Sequence, residues 1–340
     1  MNVFTGDPFS TFELTDALDK IPYVPAFLGG LGIFEPRPVR TETIAIEKRD
    51  QELAIVQTTP RGAPLPQGGK DPRDMRDFRT VRVAKGDVVN ASEIQNIRAF
   101  GTTTELEQAQ TEVMNRLAKL RRDVDLTHEH MRLGAVQGIV LDADGSTLIN
   151  WFDEWDLSQP AEIDFDLDNA SPASGAVRIK CNQVVRAVQR AAKGSWVPGR
   201  TYVMGLAGDT FWDQLTAHTE IRQTYLNQVA AQELRNDVGA PFGTFRYGGI
   251  TWVNYQGTDD NSTVAVNTLK AHFFPVGANA AFQQAMSPGE TFDWANTPGQ
   301  NVYALLVNDK DRNMWIKPEV YSYPLFVCSR PEMLQRAKNT

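Results

Sequence analysis

From Thr102 to Leu133 the sequence contains neither glycine nor proline, and within that run Leu106, Ala109, Val113, Leu117, Leu120 and Val124 recur at spacings of 3, 4, 4, 3 and 4. Side chains three and four apart share one face of an α-helix, so these six define a single apolar stripe. Thr104 with Glu107 forms a capping-box pattern at the start, and Gly134 stands where the helix is expected to end. About 30 residues at ~1.5 Å each give a rod of roughly 45 Å. That is far longer than the ~10–14 residues of an average helix. Such a helix is expected to run the length of an elongated body.

What precedes the helix is unlike it. Pro8, Pro22, Pro25, Pro36 and Pro38 interrupt the first 40 residues, yet Phe4, Phe9, Phe12, Tyr23, Phe27 and Phe34 are scattered among them. A segment that cannot bury its own aromatics reads as an arm lying on another surface. TETIAIEK (41–48) and ELAIVQ (52–57) read as a strand pair turning at Arg49-Asp50-Gln51. Residues 58–77 then hold four prolines and three glycines, a structureless length that is usually functional. Strand character is expected to resume at FRTVRVAK (78–85). The stretch therefore reads as a long two-legged loop thrown out from the body.

After the helix, QGIVLDADGSTLINWFDEW reads as a hairpin turning at Asp144-Gly145. Residues 142–168 carry nine Asp and Glu and no Lys or Arg. A second compact region begins near Ala170, with a helix over 175–192, a strand over 201–207 and helices across 209–234. A further hairpin at 245–255 turns at Gly248-Gly249, and strands follow at 301–307 and 323–329. Helices and strands are segregated without a βαβ rhythm, which makes the class α+β.

Composition narrows the function. A net charge of −8 argues against a sequence-independent grip on nucleic acid, which needs Lys and Arg along the phosphates. Two cysteines are too few for a disulfide framework or a cysteine zinc cluster, and no apolar run is long enough to span a bilayer. With no secretory signal at the start, a soluble protein of a reducing cytosol is expected.

Catalytic patterns fail one by one. His128-Glu129-His130 puts its histidines at i and i+2, on nearly opposite sides of a helix, where a zinc protease needs i and i+4. The three residues read as polar residues of the long helix. Asp164, Asp166 and Asp168 alternate with Phe165 and Leu167, so three carboxylates on one strand face offer an alternative reading as a metal-assisted hydrolase. No other metal-loop residues follow, and an acidic solvated strand face is the better account. Asp142–Gly145 is a turn without the glutamate of a calcium loop, and Gly29, Gly30 and Gly32 make no dinucleotide fingerprint. Cys181, in an amphipathic helix, reads as a small core residue and not a nucleophile. No catalytic residue, cofactor or metal is assigned. The unusual features are an arm, a protruding loop and a long helix, all devices for touching neighbours.

The run PRGAPLPQGGKDPRDMRDFRTVRVAKGDVVNASEIQNIRAFG (60–101) resembles the lambda-type major capsid proteins of tailed bacteriophages, the phage major capsid protein E family. The similarity extends through IAIEKRDQELAIV (44–56) and GIVLDADGSTLINWF (138–152) and recurs in YPLFVCSRPEMLQRA (323–337). It implies the tailed-phage capsid fold: an N-terminal arm (1–38), an E-loop (39–92), a P-domain (93–164) with a spine helix at 103–133, and an A-domain (165–240). Residues 241–317 would supply a returning P-domain hairpin and A-domain strands, and 318–340 a C-terminal strand and tail.

The resemblance further implies self-assembly into hexamers and pentamers that close an icosahedral shell around double-stranded DNA, with no sequence-specific DNA binding and no membrane. Implied partners are a decoration protein, a scaffold, a protease and a portal. Tail-tube and portal subunits are the competing structural class, but they make rings or tubes, and the long helix directly after a proline-rich loop speaks for the capsid. Some members of the wider fold crosslink a lysine to an asparagine, for which Lys70 is the obvious lysine. Lambda-type shells are instead commonly reinforced by a decoration protein. Within this frame Arg61, Lys70, Arg73, Arg76, Arg79 and Arg82 of the loop are expected to face Asp153, Glu154 and Asp156 of an adjacent subunit, because an extended loop should scarcely reach the acidic hairpin of its own chain.

Overall fold

A computed structural model describes residues 27–49, 73–96, 105–169, 171–226, 243–255, 258 and 264–339. The expectations for most of the arm, for the strand at 52–57 and for the loop tip with Arg61 and Lys70 lie outside these residues.

The described chain opens with a short helix α1 (Phe27–Leu31), strand β1 (Glu35–Pro38), and the ribbon strands β2 (Thr43–Arg49) and β3 (Arg73–Arg79). β2 pairs with β3, so the two legs of the long loop lie side by side. Strand structure therefore begins at Arg73, inside the stretch read as structureless, and breaks at Thr80–Arg82 before β4 (Val83–Gly86). β5 (Val89–Asn90) and helix α2 (Ala91–Asn96) lead towards the long helix α3 (Glu105–Gln137).

α3 has 33 residues, about 50 Å at ~1.5 Å each. It runs through Gly134, the expected terminator, and ends before Gly138, whose φ is +88°. The reason is packing: a Cβ at position 134 would lie 2.7 Å from the Ile139 carbonyl oxygen. Gly134 lets the strand that follows fold back against the helix, and Gly138 takes the left-handed turn that reverses the chain. β6 (Ile139–Leu141) and β7 (Thr147–Asn150) then form the expected hairpin, with Asp142 N–H donating to the Ser146 carbonyl at 2.8 Å. The last part of that segment is not strand. Asn150 accepts from the Phe152 amide and caps a helical turn, α4 (Trp151–Glu154).

β8 is only Ile163–Asp164. Helix α5 (Ala176–Ala191), strand β9 (Tyr202–Ala207), helices α6 (Asp209–Ala217) and α7 (Thr219–Leu226), and the hairpin β10 (Thr244–Tyr247) and β11 (Ile250–Asn254) follow. The remaining strands are β12 (Lys270–Val276), β13 (Phe282–Met286), β14 (Tyr303–Asn308), β15 (Trp315–Ser322), β16 (Pro324–Cys328) and β17 (Gln335–Lys338).

The chain divides into two units. In the first, the stripe residues Val113, Leu117, Leu120 and Val124 pack on Val302 and on Ala304, Ile316 and Val320 of the β14-β15-β4 sheet. β15 alternates half-buried and buried residues along its eight positions, as a strand covered on one face by a helix must. A second small sheet, β1-β13-β16, pairs β1 parallel to β13.

The second unit holds a six-stranded mixed sheet in the order β10-β11-β9-β12-β17-β8. Phe165, Phe211, Trp252 and Phe273 form its core, with ring centroids 5.2–6.0 Å apart. The Gly248-Gly249 hairpin, read as part of a returning segment, is the edge of this sheet. The C-terminal segment divides, β16 going to the first unit and β17 to the second. Helices and strands are segregated as an α+β protein requires.

Candidate assembly surfaces

In the second unit, the ribbon strand β3 alternates along its length. Met75 is 68% exposed, Phe78 is buried, and Arg76 between them is half-buried. Phe78 packs edge-on to Trp151 at 5.2 Å and lies 6.0 Å from Trp155. The Arg76 guanidinium sits 5.8 Å from the Trp155 ring centroid and donates to Asp156. Trp155 in turn donates its indole N–H to the Cys328 carbonyl at 3.3 Å. This corrects one expectation: the ribbon does reach the acidic hairpin segment of its own chain, through Arg76 and Asp156. The cause is Trp151 of α4 and Trp155 just after it, which give Phe78 and Arg76 an apolar seat that charge alone would not supply.

In the first unit, Arg40, Glu42, Arg79, Arg82, Glu290 and Tyr323 line a cavity of about 470 Å³. Arg82 lies 3.1 Å from Glu290 and 5.2 Å from the centre of the Tyr321 ring. Arg82 thus has an acidic partner within its own chain. Arg79 is exposed and makes no ion pair among the described residues. Phe292, on the rim, is fully exposed.

Of the remaining expected contact residues, Asp153 is exposed and accepts from the Asn150 amide group at 2.5 Å, and Glu154 is half-buried. The side chain of Arg73, with Arg61 and Lys70, lies outside the described residues. Asp164, Asp166 and Asp168 do not share a strand face. β8 stops at Asp164, and Asp166 has φ +51° because the Asp164 carboxylate accepts its backbone N–H at 3.0 Å. Among the described residues no group of three or more acidic, histidine or cysteine side chains is placed to hold a metal ion. The hydrolase reading loses its geometry there.

The long helix carries contacts the sequence reading missed. Arg116 bridges Asp87 at 2.7 Å, Glu112 at 2.8 Å and Glu93 at 3.2 Å, and the hydrogen bond from Arg116 holds the Asp87 carboxyl below the usual carboxylate range. Lys85 of β4 pairs with Asp123 of α3 at 2.6 Å. His128 is fully buried, 2.9 Å from the Ser322 hydroxyl, and burial holds its pKa down to about 3. Glu129 is 3% exposed and accepts the amides of Leu28 and Gly29. The signal for His128 was present: it stands four residues past Val124, on the continuation of the apolar stripe. In the second unit Cys181 is fully buried on the inner face of α5, where burial pushes its thiol up to about 12, so it is a core residue.

The fold is shared with known proteins. A prophage protein of E. coli CFT073 assigned as a capsid protein matches with a TM-score of 0.58 at 11% identity, over 97% of this chain and 99% of that one. A chain of the bacteriophage PhiM1 mature capsid matches with a TM-score of 0.52 at 10% identity, over 94% of this chain and 88% of that one. The architecture is that of the tailed-phage capsid proteins. At the level of sequence, the chain is 27% identical to the major capsid protein of Salmonella phage Felix O1, over 96% of this chain and 95% of the relative. It is 26% identical to that of Pseudomonas phage KPP10, over 94% and 95%. Residues 10–339 match the phage major capsid protein E family, and the chain belongs to it. It is a structural protein of the phage head shell, part of the virion and not an enzyme. No described helix is long and apolar enough to cross a membrane.

Proposed function

We propose that copies of this chain form hexamers and pentamers that close an icosahedral shell around packaged double-stranded DNA. The observation that carries the reading is the family match along nearly the whole chain, on a fold that pairs a 33-residue helix with a two-legged ribbon. A closed shell needs heterologous contacts, in which each patch meets a different patch on the next copy. Single exposed ion pairs give only about 0–1 kcal/mol, so such a shell depends on many modest contacts acting together.

In this reading residues 1–38 are the arm, 39–92 the E-loop, 93–164 the P-domain with the spine helix, and 165–240 the A-domain. Residues 241–317 return to both domains, and 318–340 close the chain. Arg61, Lys70, Arg73 and Arg79 face Asp153 and Glu154 of an adjacent subunit, while Arg76 and Arg82 serve their own chain. The exposure of Arg79 and of Asp153 supports that pairing. A decoration protein, a scaffold, a protease and a portal would complete assembly in the host cytoplasm, and DNA is enclosed without sequence-specific contacts. Negative-stain electron microscopy of the purified full-length protein is the test. Closed particles or capsomer rings are expected; a monomer at all concentrations, with or without crowding agents, would overturn the proposal.

A further inference from the structure

The second unit carries a basic ridge on one helix and an acidic stretch at one edge of its sheet. Residues 170–208 contain Arg178, Lys180, Arg186, Arg190, Lys193 and Arg200 and no acid, directly after a stretch of nine acids without a base. Helix α5 buries Val177, Cys181, Val184 and Val188 on one side. On the other, Arg178, Asn182, Arg186 and Arg190 follow one another every four residues and are all exposed, forming one ridge about 18 Å long at ~1.5 Å per residue. Arg186 and Arg190 make no ion pair among the described residues.

The helix lies across the sheet, against β12, β17 and the turn Pro331–Met333, and its first half is held at the β10–β11 hairpin. Gly248, at φ +61° in that hairpin turn, lies so close to α5 that a Cβ there would fall 2.4 Å from the Cys181 Cβ. Glu220 accepts the Val177 amide at 3.1 Å and the Tyr247 hydroxyl at 2.5 Å, tying the helix start to β10. β8 is the edge strand beyond β17, at the opposite end of the sheet from β10. Past β8 the chain stays against β17: Phe165 N–H donates to the Lys338 carbonyl at 3.1 Å, and Leu167 N–H to the Asn339 side chain at 2.8 Å. Phe165 and Leu167 are buried, while Asp166 and Asp168 are exposed and make no ion pair among the described residues.

We propose that the α5 ridge of one copy seats against the Asp166–Asp168 edge of the next copy. Two unlike, complementary patches on one chain suit a head-to-tail contact, which closes into a ring when the rotation between copies allows it. The competing occupant of a basic helix is nucleic acid. The second copy fits better because the chain itself supplies the complementary acids, and because Ile179, 65% exposed beside Arg178, offers apolar area that a phosphate backbone would not use. The inference rests on the shell reading above, from which its test is separable.

The experiment measures assembly of the full-length protein by sedimentation at low and high salt, for the unaltered chain, R186E/R190E, the milder R186Q/R190Q, and D166N/D168K. Asn at 166 removes charge while tolerating the positive φ. Unchanged circular dichroism checks folding. Loss of two or three exposed pairs should weaken association about tenfold, most at low salt. Combining R186E/R190E with D166N/D168K should recover much of it. Absence of any particle from the unaltered chain would overturn the shell reading itself. Particles formed equally well by all variants would overturn only this contact. Loss without recovery in the combined variant would overturn the Asp166–Asp168 pairing. Normal particles that retain less DNA would assign the ridge to nucleic acid instead.

Discussion

The Glu129 carboxylate accepts the Leu28 amide at 2.7 Å across a hundred residues of chain, and both residues are buried. Its second oxygen takes the Gly29 amide at 3.0 Å, and Arg132 stands 3.5 Å away. One side chain of α3 thus satisfies two amides of α1, the helix that leads in from the N-terminal segment. Glu129→Ala leaves those donors without a partner, at a cost of about 1–3 kcal/mol. Faster hydrogen exchange at Leu28 and Gly29 and a lower Tm are expected. Unchanged exchange at both amides would show that the carboxylate does not hold α1.

Leu117 is fully buried at the centre of the helix–sheet core. Leu117→Ala should cost about 2–5 kcal/mol through lost contacts and a residual cavity. Leu117→Pro should cost ~3 kcal/mol or more and kink the helix. Chemical denaturation of the first and solubility of the second provide the check. An alanine variant as stable as the parent would mean that the stripe is not packed as described.

His128 gives a pH dependence with a defined sign. Burial, then the nearby Arg132 and Arg121, lowers its folded pKa from 6.5 to about 3. The unfolded chain therefore takes up a proton that the folded chain refuses. Its contribution is fully present above pH 6.5, declines as pH falls, and levels off near pH 3. At pH 5 the loss is on the order of 2 kcal/mol. His272, also held neutral by burial with a pKa of about 4, adds a similar slope in the second unit. Thermal unfolding of His128→Gln between pH 7 and 4 should show a shallower decline than the parent. Parallel curves would remove His128 from the account.

Arg79 and Arg73 test the proposed E-loop contact without disturbing Arg76, whose partner is in its own chain. R73E/R79E should leave the subunit folded and impair assembly, more at low salt than at high. D153K/E154K should partly restore it. Assembly equal to the parent at both salt levels would show that these charges do not join subunits.

Much of this protein was legible in its sequence, because periodicity reports which face of an element is buried. The spacing from Leu106 to Val124 located the long helix, and the Asp-Gly and Gly-Gly turns located two hairpins. The acidic stretch was visible as composition, and the family resemblance rested on runs of residues in order. What pattern could not supply was the proximity of residues distant in the chain. Gly134 looked like a helix stop and is instead the point where β6 crosses the helix, because only the fold places the Ile139 carbonyl there. Arg76 was assigned to a neighbour because its own hairpin, eighty residues away in sequence, looked out of reach. Trp151 and Trp155 bring that segment to it. Asp164, Asp166 and Asp168 alternate perfectly in sequence, but a positive φ at Asp166 breaks the strand they implied. Glu129 read as one more polar helix residue until the fold set two amides in front of it. Local order is written in neighbouring side chains; these other relations depend on long-range contacts, and tertiary structure alone decides them.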